Sequence, residues 1–437
     1  MTIEDKLKLV KREREARSRS QKIEKTWEQI NANDELSVKE KLQKLITLSG
    51  GKKERKAAVV PSETLRREPV LFLENPYVLD AHYGKIPISL GLDVRGDVLA
   101  FLSREPAFAD LDLSSALFID LETTGLSGGT GTVAFLVGMG FYRDQKFNVV
   151  QFFLGDLAEE ERMIEELSLF FRQMNFRSVV TYNGKGFDLP ILETRFALKR
   201  KPFPLSDLPH LDFLFSARSL WKHKYDNCRL FNLAREVVEA DRSEDIPSAE
   251  IPARYFEYIR SGDFSLIEPI LYHNQEDILS LLGVVVIGAL LLSEDGSGID
   301  ECRSDGMDLF GVGNLFEKAG HIERSLRYFE RALEGNLTGE ISLLIKRKLS
   351  LHFKKNEDWD KAVALWEELA SMEQPFSFRE LAMYYEHREK KYEEARKMAE
   401  HGLALSLPIS PFYRRDFARR LERLNERIRK QKGGAHA

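Results

Sequence analysis

Cysteine is the first scarcity. The chain holds two in 437 residues, Cys228 and Cys302, far apart in sequence. Such a pair builds neither a disulfide framework nor a zinc knuckle, and it suits a reducing compartment, so a cytoplasmic location is expected. Long apolar runs are missing as well. The longest, Ile278 to Leu292, is broken by Ser280, Gly283 and Gly288. It falls short of the roughly 20 residues that a membrane span needs, so a buried core helix is expected and no membrane partner. The N-terminus is charged and has no apolar signal core, so no secretory leader is expected. Nor does one charge dominate: Lys+Arg 65 against Asp+Glu 70 gives a net charge of -5. The chain as a whole does not advertise nucleic-acid binding, and local patches must carry it. A phosphate loop is absent too. Gly128, Gly129, Thr130 and Gly131 look like one, but no Gly-Lys-Ser/Thr follows, and the segment reads as a tight turn.

What is present is a globular composition, 43% hydrophobic, in a chain long enough for two or three domains. Residues 1–65 read as a charged helical arm with a linker at Ser49, Gly50, Gly51, Lys52 and Lys53. The bases between Lys6 and Lys25 make it a candidate phosphate contact, or simply a solvated helix. Residues 66–115 read as a small β-rich lead-in, punctuated by Pro76, Gly84, Pro87, Gly91 and Gly96. Residues 116–295 form the core domain. Strands are expected at Ala116–Glu122, Thr132–Tyr142, Lys146–Leu154 and Ser178–Tyr182. A helix is expected over Ala158–Met174, with Met163, Ile164, Leu167, Phe170 and Phe171 on one stripe.

Residues 308–407 repeat. Ser325, Phe329 and Ala332 have the spacing of Ala362, Trp366 and Leu369, and of Ala395, Ala399 and Gly402. That period is near the ~34 residues of a tetratricopeptide repeat. Such arrays present a groove to a protein partner. A basic helical tail, 408–437, closes the chain and is a further candidate for phosphate contacts.

The chemistry-bearing residues are acids. Phe118, Ile119, Asp120, Leu121 and Glu122 place two carboxylates two apart, so on a strand they share a face. Crowded carboxylates need a proton, a basic partner or a metal, and hard cations such as Mg2+ or Mn2+ take oxygen ligands. Solvated acids at a strand end are the plain alternative. Asp188 follows Tyr182, Asn183, Gly184, Lys185, Gly186 and Phe187. It can cap the next helix or ligate a metal. His273 and Asp277 are four apart and share a helix face. A metal-binding carboxylate beside a proton-taking His is a hydrolytic arrangement.

Together these residues carry a resemblance. Asp120-x-Glu122, Asp188, and Asp277 with His273 resemble the three motifs of DEDD exonucleases. Asp-Leu-Glu-Thr-Thr-Gly-Leu-Ser-Gly-Gly-Thr-Gly (120–131), Tyr-Asn-Gly-Lys-Gly-Phe-Asp (182–188), His-Leu-Asp (210–212) and His-Asn-Gln-Glu-Asp (273–277) are similar to bacterial YprB-type proteins, the mitomycin repair factor B exonucleases. The resemblance implies an α/β ribonuclease H-like (DEDD exonuclease) domain followed by an all-α tetratricopeptide-repeat domain. It implies a 3′–5′ exonuclease acting in DNA repair on single-stranded or 3′-ended DNA, with a helicase as a candidate protein partner. It also implies two divalent cations, Mg2+ or Mn2+, on Asp120, Glu122, Asp188 and Asp277. His273 would be the general base, with Tyr272 its rival at the spacing usual for His-type enzymes. Thr123, Asn183 and Lys185 would contact substrate, and Arg195, Lys199, Arg200 and Lys201 could track the strand. RNA processing at the same site, or an inactive scaffold recruiting partners through its repeats, are the alternatives.

Overall fold

The computed structural model describes residues 70–125, 130–292, 305–406 and 411–433. The basic arm at 1–65, the linker at 49–53, Gly128, Gly129 and Cys302 lie outside the described residues. The chain divides into two compact units, Met1–Cys302 and Arg303–Ala437.

The first unit is built on one six-stranded mixed sheet. Its elements in chain order are β1 (Val70–Val78), the two-residue strands β2 (His82–Tyr83) and β3 (Ile86–Pro87), α1 (Gly96–Ser103), β4 (Ala116–Thr123), β5 (Ala134–Arg143) and β6 (Lys146–Leu154). Then come α2 (Glu160–Met174), β7 (Ser178–Thr181), α3 (Asp188–Leu198), β8 (His210–Asp212), α4 (Phe213–Trp221), α5 (Leu230–Glu236), α6 (Ile251–Ser261) and α7 (Glu268–Leu290). The strand order is β1-β6-β5-β4-β7-β8. β1, β6, β5 and β4 pair antiparallel, and β7 and β8 add parallel to β4. This is the ribonuclease H-like order.

The lead-in is therefore no separate module. β1 pairs along its whole length with β6, Val70 opposite Leu154 and Val78 opposite Lys146, and forms the sheet's edge. Period-2 patterning accounts for β4. Leu117, Ile119 and Leu121 enter one buried cluster together with Met163, Ile164, Leu167 and Phe171 of α2, while Asp120 and Glu122 point to the opposite face. α7 passes across that second face. From Ile278 to Leu292 nearly every side chain is buried, so the long apolar run is the inside of this domain.

The second unit is all-helical: α8 (Gly306–Lys318), α9 (Ile322–Leu333), α10 (Gly339–Lys355), α11 (Trp359–Ser371), α12 (Pro375–His387), α13 (Tyr392–Ser406) and α14 (Pro411–Gly433). The repeat signature falls on the second helix of each successive pair. Ser325, Phe329, Ala332, Ala362, Trp366, Leu369, Ala395 and Ala399 are all at most 1% exposed. Small residues at these places let helices approach closely; a Cβ at Gly402 would stand 2.2 Å from the Phe417 ring of α14.

α14 corrects one expectation. Its arginines are not simply a basic surface. Glu386 of α12 is buried and accepts from Arg420 Nη1 at 2.7 Å and from Arg423 Nε at 2.7 Å, with Arg427 Nη1 3.8 Å away. Phe417, Arg420, Leu424 and Ile428 form the inner stripe of the helix. The basic tail docks a closing helix onto the repeats.

Candidate active site

Three distant segments converge at one end of the β4–β7 pair. β4 supplies Asp120 and Glu122. The register shifts between Glu122 and Thr123, a bulge of the kind that re-aims side chains beside functional sites. β7 runs parallel to β4, so the turn after Thr181 returns beside Leu121. There Asp188 Oδ1 accepts from the Leu121 amide at 3.1 Å. The capping alternative for Asp188 does not hold: Phe187 is the N-cap residue and has no side-chain cap bond. Asp188 is the first residue of α3, where the helix dipole favours negative charge.

The turn is held from the next strand. Asp212, at the end of β8, accepts from the amides of Asn183 at 2.8 Å, Lys185 at 3.0 Å and Leu214 at 3.2 Å. Asn183 takes φ +69°, a left-handed conformation that Asn tolerates better than most residues. The His-Leu-Asp motif thus has a physical role, to fix the loop that delivers Asp188.

α7 brings the rest. His273 Nε2 stands 3.7 Å from Glu122 Oε1 and 3.6 Å from Asp277 Oδ2. Asn274, fully buried, donates from Nδ2 to Asp120 Oδ2 at 2.9 Å and accepts from Gln151 Nε2 at 2.9 Å. This reach across the sheet requires Gly138, which pairs with Asp120 in the register; a Cβ there would lie 2.0 Å from Asn274 Oδ1. Gln275 donates to Tyr77 Oη at 2.6 Å, and Glu276 accepts from Tyr83 Oη at 2.8 Å. Each residue of His-Asn-Gln-Glu-Asp therefore has its own contact, and two of them bind the lead-in.

Burial, and then the charges of Asp277, Asp188 and Glu122, push the Asp120 carboxyl well above the usual carboxylate range. Glu122 is pushed up by burial first and then by Asp277 and Asp188. Asp188 is raised to about 7, again by burial first, although the hydrogen bond from the Leu121 amide works the other way. Burial alone would lower His273; the Asp277 charge and the bond to Asp245 outweigh it and raise its pKa.

Two functional candidates were not visible in the sequence. Arg242 is 2% exposed. It donates through Nη1 to Asp277 Oδ1 at 2.5 Å and through Nη2 to Asp245, and lies 5.2 Å from the centre of the Phe231 ring. Asp245 accepts from His273 Nδ1 at 2.6 Å. Both sit between α5 and α6 in a stretch without regular structure, where no periodicity marks them. Asn274 had a signal, since it lies between His273 and Asp277 within one turn.

The donor chemistry suits a hard cation. Four carboxylates crowd together, and Asp120, Glu122 and Asp188 are pushed toward their neutral forms. A divalent cation relieves that repulsion and favours oxygen ligands. Asp277 gives one oxygen to Arg242, Asp188 one to Leu121 and Asp120 one to Asn274. Among the described residues, no three His, Cys, Asp or Glu side chains stand as a ready-made metal cage.

A sequence profile of the RNase H superfamily matches residues 117–287. The uncharacterized protein YprB of Bacillus subtilis (strain 168) is 32% identical over 297 residues, 67% of this chain and 70% of that protein. The chain belongs to the YprB family. Among solved structures, the family B DNA polymerase from the hyperthermophilic archaeon Pyrobaculum calidifontis aligns at 17% identity with a TM-score of 0.32. That alignment covers 47% of this chain and 29% of the polymerase. The RNase H-superfamily match supports a nuclease-type activity for this YprB-family domain.

The other substrate candidates stand differently. Thr123 is buried and donates to the Gly125 carbonyl at 2.8 Å. Asn183 is exposed on its turn. The Lys185 ammonium pairs with Glu105 at 2.6 Å. Arg195 is no strand-tracking residue: it is buried, pairs with Glu160 through two nitrogens, and donates to the Thr130 carbonyl at 2.7 Å. Lys199 also pairs with Glu160, and Lys201 with Glu165.

Proposed function

We propose that this YprB-family protein is a metal-dependent 3′–5′ exonuclease of DEDD type. It hydrolyses phosphodiester bonds in single-stranded or 3′-ended DNA in the cytoplasm and serves DNA repair. The supporting observation is the convergence of Asp120, Glu122, Asp188 and Asp277, from three segments far apart in sequence, with His273 Nε2 within 3.7 Å of two of them. Asp120, Glu122 and Asp188 are pushed toward their neutral forms by burial and by neighbouring carboxylate charge, and shared divalent cations, two Mg2+ or Mn2+, would relieve that repulsion. The four carboxylates would hold the cations, which supply Lewis-acid chemistry at a phosphoryl group. His273 accepts the proton of the attacking water through Nε2. The carboxylates of Glu122 and Asp277 then stabilise the imidazolium. Arg242 holds Asp277 in place.

The repeats recruit a protein partner, for which a helicase is the candidate. Their surface charge alternates, as in Glu367, Glu368, Arg388, Glu389 and Lys390, and does not form a one-signed nucleic-acid track. The test is the purified protein on end-labelled DNA and RNA strands with Mn2+ or Mg2+, and again in EDTA. Metal-dependent shortening of DNA from the 3′ end is expected. No cleavage under any metal would refute the enzyme reading, and cleavage of RNA alone would replace the substrate.

A further inference from the structure

The chemistry proposed for His273 needs a ring with its Nε2 lone pair turned into the site and a proton on Nδ1. A free imidazole does not hold that state by itself. Something must face Nδ1, and in this fold it is Asp245. Its side chain is fully enclosed. Its Oδ1 accepts from His273 Nδ1 at 2.6 Å and from the Ile246 amide at 2.8 Å, while its Oδ2 accepts from Arg242 Nη2. A carboxylate bound by an arginine and an amide is an acceptor only, so the ring nitrogen facing it must be the donor. That places the Nδ1 proton and leaves Nε2 toward Glu122, Asp277 and, at 3.4 Å, Ser248 Oγ.

The acceptor is itself fixed. Arg242 bridges Asp245 and Asp277 and donates weakly to Ser280 Oγ at 3.3 Å. One guanidinium thus joins the acid behind the histidine to the acid in front of it. Through it, the loop between α5 and α6 is keyed to α7.

We propose that Asp245 is a positioning residue for the hydrolytic reaction: it holds His273 in the Nδ1–H tautomer with Nε2 aimed at the reacting water, and Arg242 locks Asp245 and Asp277 into one register. This rests on the reading of His273 as the general base. Asp245 is enclosed behind the ring, its oxygens taken by His273, Arg242 and the Ile246 amide, and it acts through those contacts.

The test is a double-mutant cycle in the full chain, with kcat and KM measured on a 3′-ended DNA strand in Mn2+. Asp245→Ala removes the acceptor. Asp245→Asn fills the same space but leaves one oxygen for donors on two sides, so it guards against a loss that is merely misfolding. Both variants should lower kcat about 10²-fold, the scale of general-base catalysis, with KM changed less than about twofold. Asp245→Ala should add nothing to His273→Ala, because residues acting as one unit are not additive. ¹⁵N-histidine NMR should show the His273 proton on Nδ1 in the wild type and redistributed in Asp245→Ala. Wild-type kcat in Asp245→Ala beside an impaired His273→Ala would overturn the proposal. So would additive losses, or an unchanged tautomer. Full activity in His273→Ala would instead remove the general-base reading beneath it, which is a separate result.

Discussion

Replacing Asp188 by Asn changes one oxygen to nitrogen and keeps an amide oxygen to accept from the Leu121 N–H. The fold should survive, and two opposite effects should appear. The first is on stability. The folded-state pKa of Asp188 is about 7 against an ordinary 3.8, roughly 3 units at ~1.4 kcal/mol each. Burying Asp188 ionised therefore costs up to about 4 kcal/mol. Neighbouring carboxylates can relax once one charge is gone, so about half, roughly 2 kcal/mol, should reach the melting curve. In a domain of this size that is about 4–8 °C. The sign follows from the raised pKa. The protonated form is the one that folding favours, so the wild type matches the variant below about pH 4 and falls behind as pH rises to about 7. Thermal melts of both proteins in EDTA across pH 4–8 should show the gap opening over that window and staying open above it. The second effect is on activity. An amide is a poor ligand for Mg2+, and losing several kcal/mol of charge stabilisation should lower turnover roughly 10³-fold. Equal melting curves at every pH, together with full nuclease activity, would refute the four-carboxylate site.

Other outcomes follow from the same contacts. His273→Ala should cut turnover roughly 10²–10⁴-fold while leaving Mn2+ affinity, measured by calorimetry, intact; Tyr272→Phe should remain active. Gly138→Ala forces a methyl onto Asn274, and both it and Asn274→Ala should lower activity about 10–100-fold, the usual effect of losing a group that orients a metal ligand, as read by turnover at saturating Mn2+. Glu386→Ala strands a buried arginine and should destabilise the repeat unit by roughly 3 kcal/mol in a denaturant melt. Burial opposes ionisation of Glu386, but Arg423 and Arg420 outweigh it and lower its pKa, so the stability it contributes is present above about pH 4.5 and is lost as pH falls below that. Deleting residues 308–437 should leave cleavage of a short oligonucleotide intact, whereas loss of cleavage in a folded truncation would return the repeats to substrate binding.

Local rules made much of this protein readable in one dimension. Alternation over Ala116–Glu122 determined that Asp120 and Glu122 share a face and that Leu117, Ile119 and Leu121 enter the core, because the strand period is two residues whatever the rest of the chain does. Helical spacing placed His273 beside Asp277 for the same reason. The triplets at 325, 362 and 395 located the second helices of the repeats, since a stacking unit must bury the same positions each time. Tertiary structure decided what depends on contact across distance. Arg242 and Asp245 lie in irregular chain and acquire meaning only when α7 carries His273 and Asp277 up to them. Gly138 is unremarkable until Asn274 has to pass over it to reach Asp120. The arginines near 420 look like a charged surface until Glu386 is found beneath them. Arg195 and Lys185 read as free cations in the sequence, and acids far off in the chain claim them in the fold. Periodicity records which face a residue shows; only the packed chain determines which partner meets it there.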